Sequence, residues 1–163
     1  MKLYAGLDLS FTQTGLTIVN NNLEIVDSFN IKTQKKDFDN DGDLATYIRI
    51  GEIASNILVI LADYQPIEMI AIETCAFGAK GRVVDLGGLH HVLAHRLLMN
   101  GFNIVPIAPT SLKKFFTGNG RAKKNDMLNS CSSEVQEMGL SEDQIDAYAL
   151  ALYAESVSPK AIH

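Results

Sequence analysis

Tryptophan is absent from this chain, cysteine occurs twice and proline four times in 163 residues. The two cysteines, Cys75 and Cys131, have no CxxC spacing. That excludes a disulfide-stapled scaffold and a cysteine-built zinc module, and reads as free thiols in a reducing compartment. No stretch is rich in proline, glycine and serine, and no segment repeats, which argues against a linker or a second unit. The expectation is one domain over residues 1–163. No uninterrupted apolar run approaches the length of a membrane span. The start, MKLYAGLDLS, meets an acid too early for a secretory signal. A cytoplasmic protein without a membrane partner is expected. What the chain does have is 47% hydrophobic and 20% charged residues, the balance of a globular domain able to bury a core.

A net charge of −5 would appear to exclude nucleic acid. Its distribution argues otherwise. Lys113, Lys114, Arg121, Lys123 and Lys124 lie close together with no acid between them, and without them nine basic residues face 19 acidic ones. A basic island on an acidic body suits a phosphate backbone. Gly118 and Gly120 within it would let the backbone approach a phosphate closely. Of the adjacent Phe115 and Phe116, at least one is expected in the core, with stacking on an unpaired base as the sharper reading.

Hydrophobic periodicity predicts strands over residues 3–9, 14–20 and LEIVDSFNI, the last two joined by a turn at Asn20-Asn21-Asn22. Leu44 to Asp63 carries apolar residues at helical spacing and stops before Gln65-Pro66. Met69 to Thr74 reads as a buried strand, Val83 to Asn100 as a helix and Phe102 to Ala108 as a strand. A short helix opens at Pro109, and two more cover Lys124–Met138 and Asp143–Glu155. The order βββαβαβαα predicts an α/β fold, a mixed sheet with helices on both faces.

Within these elements stand four carboxylates. Asp8 and Glu73 sit in apolar strands, where a charge is costly unless something compensates it. Asp143 and Asp146, three residues apart, share one face of the last helix. If the strands are neighbours, all four can meet, and a pair of divalent cations is the economical compensator. Hard oxygen donors suit Mg²⁺, with Mn²⁺ as a substitute. That points to hydrolysis of a phosphodiester rather than of a small-molecule substrate. A blander account makes Asp143 a helix cap, but leaves Asp8 and Glu73 unexplained.

The motifs GLDLSFTQTG, QPIEMIAIE, LKKFFTGNGRAKKNDM and DQIDAYALALYA, in this order, resemble the RuvC Holliday-junction resolvases of the ribonuclease H-like superfamily. The resemblance implies a ribonuclease H-like sheet, with Asp8, Glu73, Asp143 and Asp146 as catalytic and metal-binding residues. It places Lys113 and Lys124 at DNA-contacting positions. It further implies four-way branched DNA as substrate, paired nicks, a homodimer, and a compact form such as a bacteriophage would carry, acting then in the host cytoplasm. Two departures are visible. Asp-Leu-Ser stands where bacterial members have Asp-Pro-Gly, and Phe77 follows Glu73 one residue later than their aromatic. Phe77 is the candidate for that DNA contact, and Lys80 and Arg82 in AFGAKGR are candidates to follow the incoming strand.

Other motifs carry less. His91 and His95 share a helix face, but no zinc set accompanies them and HExxH is missing. The resemblance implies that this helix helps form the dimer, so His90, His91 and His95 are expected at a surface or interface. DFDNDGD imitates a calcium loop but has Ile48 where a bidentate Glu is needed. A solvated connection capping the next helix through Asp43 is expected. The rival class is an actin-like nucleotide-binding lobe, whose first phosphate loop GLDLSFTQTG also resembles. A junction-binding protein without cleavage, and a nuclease of RNA or forks, are the nearer alternatives.

Overall fold

The computed structural model describes residues 1–33, 42–75 and 83–159. Its strands are β1 (Leu3–Asp8), β2 (Gln13–Asn20), β3 (Ile25–Lys32), β4 (Ile67–Glu73) and β5 (Ile104–Ile107). Its helices are α1 (Asp43–Ala62), α2 (Val83–Met99), α3 (Pro109–Thr117), α4 (Lys124–Asn129), α5 (Ser133–Glu137) and α6 (Glu142–Val157). They build one five-stranded sheet in the order β3-β2-β1-β4-β5. β1 and β2, and β2 and β3, pair antiparallel, whereas β1–β4 and β4–β5 are parallel. This is the expected mixed α/β sheet.

The pleat sorts each strand between two cores. Leu3, Ala5 and Leu7 of β1, with Ile70 and Ile72 of β4, pack under α1 and α2. Tyr4 and Ala71 face the other way, against α6. By the same alternation Asp8 and Glu73 belong to the α6 side, at the ends of their strands. The asparagine turn forms as expected: the Asn20 side chain accepts from the backbone N–H of Asn22 (2.8 Å) and of Glu24 (3.1 Å). Pro106 is tolerated within β5 because an edge strand leaves one row of N–H groups unused.

Three expectations need correction. The helix expected over Lys124–Met138 is two, α4 and α5. The segment NSCSS interrupts it: Ser130 ends α4, and Ser132 starts α5 by accepting from the N–H of Val135. Asp43 caps nothing. Gly42 holds the cap position of α1, and Asp43 lies in the first turn, where its charge still suits the helix dipole. Asp37, Asp39 and Asp41 lie outside the described residues. Finally, by length and composition α1 does qualify as a membrane span. Its Ile53, Ala54, Ile57 and Leu61 are buried against the sheet, which accounts for that apolar face. Leu44, Tyr47 and Ile48, also at helical spacing, are exposed.

Candidate active site

The last helix reaches the strands through two glycines. A Cβ on Gly6 of β1 would lie 2.0 Å from the carbonyl oxygen of Ala147, and one on Gly15 of β2 would lie 2.1 Å from that of Asp143. Only glycine admits backbone that close. Gly15 is also the register partner of Asp8. The carbonyl of Asp143 therefore rests on the residue beside Asp8. β4 is the other neighbour of β1, with Leu7 opposite Ile72, so Glu73 ends beside Asp8 on that side. Ala147, Ala149, Ala151 and Ala154 keep the buried face of α6 thin enough for the approach.

Asp143 and Asp146 are free for chemistry because another residue caps the helix. Ser141 accepts from the N–H of Gln144 (3.3 Å), while the Gln144 side chain accepts from the N–H of Ser141 (3.0 Å). The capping role considered for Asp143 is thus already filled. Instead its Oδ2 accepts from Gln13 Nε2 at 2.7 Å, and Gln13 also reaches Asn30 Oδ1 at 3.3 Å. Sequence reading passed over Gln13. It lies inside the motif GLDLSFTQTG, but a glutamine there marks no chemistry until Asp143 is placed beside it.

The four carboxyls are near enough to feel one another's charge. Burial pushes Asp8 up to about 8, reinforced by the charges of Asp146, Glu73 and Asp143 and opposed by Lys124. Burial, then Asp146, raises Glu73 to about 7, with Lys113 opposing. Asp146 rises to about 6 through burial; Lys113 and Lys124 oppose this, while Asp143 and Glu142 add to it. No three His, Cys, Asp or Glu side chains among the described residues close into a metal-ligand set as they stand. Mutual repulsion of like charges opposes closer approach. The donor set itself, hard carboxylate oxygens half shielded from water, fits a divalent cation of the Mg²⁺ or Mn²⁺ type.

Cations stand around this cluster. Lys113 on α3 is half-buried and faces Glu73 and Asp146. Lys124, the first residue of α4, is exposed and ion-paired with Glu142. Lys114, Arg121 and Lys123 are exposed along the same α3–α4 connection. Lys80, Arg82 and Phe77 lie outside the described residues. The two phenylalanines divide. Phe116 packs into the α6 core edge-on to Tyr148 (6.1 Å), and Phe115 remains exposed, edge-on to Tyr153 (5.3 Å). Both cysteines are free thiols.

The histidines separate as well. His91 and His95 are exposed, and the His91 ring is 2.6 Å from the carbonyl of Gly87. His90, expected at a surface or interface with them, is half-buried. It lines a pocket at the strand ends together with Asp8, Glu73, Thr74, Cys75 and Leu86. Burial, and then His91, lowers its pKa. The pocket lies where parallel strands end, the usual ligand position of such sheets.

The sequence model of the family described as "Crossover junction endodeoxyribonuclease RuvC" matches residues 4–153. A curated protein of that name from Anaeromyxobacter sp. strain K is 31% identical over 112 residues, 68% of this chain and 60% of its own. The chain thus spans about three fifths of the first curated relatives it matches. Among solved structures, Thermus thermophilus RuvC superposes with a TM-score of 0.71 at 22% identity, covering 92% of this chain and 91% of that one. T. thermophilus RuvC in complex with a Holliday junction substrate gives 0.71 at 23%, with 93% and 92% covered. These likenesses show the ribonuclease H-like fold, and the match over residues 4–153 decides against the actin-like lobe: the chain belongs to the RuvC family.

Proposed function

We propose that this protein is a metal-dependent crossover junction endodeoxyribonuclease that resolves four-way DNA by paired nicks, with Asp8, Glu73, Asp143 and Asp146 holding Mg²⁺. The observation that supports the reading is that Asp8, Glu73, Asp143 and Asp146 lie within reach of one another's charge, where α6 rests on Gly6 and Gly15. Family membership and the junction complex of the T. thermophilus protein support the substrate. The chemistry supplied by the metal is activation of the attacking water and an offset to charge on the leaving oxygen. Everything else falls to the chain. Lys113 and Lys124, the cations facing the carboxyls, hold the phosphates that flank the cut. Lys114, Arg121 and Lys123 extend that hold along the backbone. Paired nicks require two sites, so the substrate's own symmetry calls for a symmetric homodimer. Exposed apolar residues on α1 and α2, among them Tyr47, Ile48, Leu98 and Met99, offer a face for it. The cytoplasm, where DNA is handled, is the expected location.

The test is an immobile four-way junction beside matched linear duplex, each with Mg²⁺ and with EDTA. Paired Mg²⁺-dependent nicks near the crossover, with the duplex intact, are expected. Binding without nicking in Mg²⁺ and Mn²⁺ would leave a junction-recognition protein.

Two variants probe the flanks of the site. Gln13→Leu removes the donor to Asp143 and should raise the Mg²⁺ concentration for half-maximal cleavage about tenfold, the usual scale for a group that orients a metal ligand. A titration unchanged from wild type would mean that Asp143 needs no such support. Lys124→Ala should weaken binding to all junction sequences alike and lower the slope of log affinity against log salt by about one unit. An unchanged slope would remove Lys124 from the phosphate contacts.

A further inference from the structure

His90 occupies a position that its helix reserves for apolar residues. Leu86, Leu89, Leu93 and Leu97 of α2 all pack into the core beneath that helix, and His90 stands among them four residues after Leu86. An imidazole in such a stripe is costly unless its nitrogens find partners. The Nε2 of His90 is buried and has no hydrogen-bond partner among the described residues. The pocket it lines is the one that holds Asp8 and Glu73. α2 lies on the opposite face of the sheet from α6, so this ring is the contribution of the second helical layer, arriving over the strand ends.

Building on the nuclease reading of this site, we propose that His90 contacts the substrate: the imidazole turns within the pocket so that its buried Nε2–H comes to donate to a non-bridging oxygen of the DNA phosphate lodged at Asp8 and Glu73. An anionic oxygen is the acceptor such a pocket receives when its carboxyls are neutralised by cations. Leu86 and Pro109 give the same pocket an apolar wall. The hydrogen bond stabilises negative charge that grows on the phosphate as it is attacked. Mg²⁺ prefers oxygen ligands, so the imidazole is left for the phosphate.

Protein labelled with ¹⁵N-histidine is titrated with an intact four-way junction in Ca²⁺, and the imidazole nitrogens are followed by NMR. One Nε2 resonance, missing in His90→Gln, should shift on binding. In parallel, single-turnover cleavage in Mg²⁺ is compared for His90→Leu and His90→Gln. His90→Leu should be slower by about 10- to 100-fold, as for a lost hydrogen bond to a charged group, with the melting temperature and junction affinity kept. His90→Gln, whose amide N–H reaches a similar place, should recover most of the loss. An unshifted His90 resonance overturns the inference, whether or not the junction is cut. So does His90→Leu at the wild-type rate, equal slowing in both variants, or slowing that tracks a fall in melting temperature. A shifted resonance with an uncut junction overturns the nuclease reading alone.

Discussion

Asp8→Asn is expected to lower single-turnover junction cleavage by about a thousandfold while leaving junction binding intact. The magnitude corresponds to about 4 kcal/mol of lost charge stabilisation at the transition state. The same substitution should make the metal-free protein more stable. Folding raises the pKa of Asp8 from 3.8 to about 8, because burial and three acidic neighbours disfavour its charged form. A carboxyl raised in this way binds its proton more tightly folded than unfolded. Its contribution is fully favourable below the unfolded value and is lost as pH rises towards the folded one. In EDTA the wild-type melting temperature should therefore fall between about pH 4 and pH 8, with Glu73 and Asp146 adding to the trend. Asparagine carries no charge at any of these pH values, so the Asp8→Asn curve should be flatter and higher at pH 8. Full cleavage by the variant would remove Asp8 from the catalytic set. A wild-type melting temperature that rises over the same range would contradict the placement of the four carboxyls together.

The gain in stability from removing a catalytic group is the usual price of an assembled acidic site. Much of that site was legible because its cost is local. An acid inside MIAIET or LYAGLDLS breaks a strand pattern, and a broken pattern can be seen in sequence. The basic island was legible as composition. The mixed sheet with helices on both faces followed from the order of the elements, since parallel strands need a crossover helix, whereas the pairing of β4 with β1 rather than with β3 is visible only in the structure. Nothing comparable marked the residues that hold the site in place. Gln13 meets Asp143 across 130 positions of sequence, and that meeting exists only once α6 lies on β2. Arg49 has the same history. It is buried on α1, donates to the carbonyl of Phe11 and to Thr33 Oγ1 (3.2 Å), and sits 5.5 Å over the Phe11 ring. It thereby fastens the loop that leaves Asp8, yet in sequence it is one more polar residue of an amphipathic helix. The split of α4 from α5 was hidden for a different reason: one short serine-rich turn costs little in propensity, and the Ser132 cap shows only in three dimensions. His90 was read with His91 and His95 as a surface or interface residue because the family resemblance puts this helix at a dimer contact, whereas the structure places it beside the ends of β1 and β4.

The glycines carry the heaviest consequence of that kind. Gly15→Ala should cost both stability and activity, although no carboxylate is altered. The new Cβ would lie 2.1 Å from the carbonyl oxygen and 2.5 Å from the carbonyl carbon of Asp143. Both are backbone atoms, so no rotamer relieves the contact, and the first turn of α6 must lift from β2. Forcing an added carbon into packed surroundings costs about 1–3 kcal/mol, or about 2–12 °C in melting temperature for a chain of this size. The lift carries Asp143 and Asp146 away from Asp8 and Glu73. A displacement of about 1 Å at a reacting centre lowers the rate about a hundredfold, and a similar loss in single-turnover cleavage is expected. Gly51→Ala supplies the contrast within the same protein. Gly51 lies inside α1, and an added Cβ would meet nothing within 4 Å among the described residues beyond the neighbouring backbone of its own helix. Alanine there should stabilise by about 0.4–1 kcal/mol through helix propensity, with cleavage unchanged. If Gly15→Ala cleaved at the wild-type rate, α6 would have room to spare on β2. The close seat of the helix would then not be what sets the distance between the two pairs of acids.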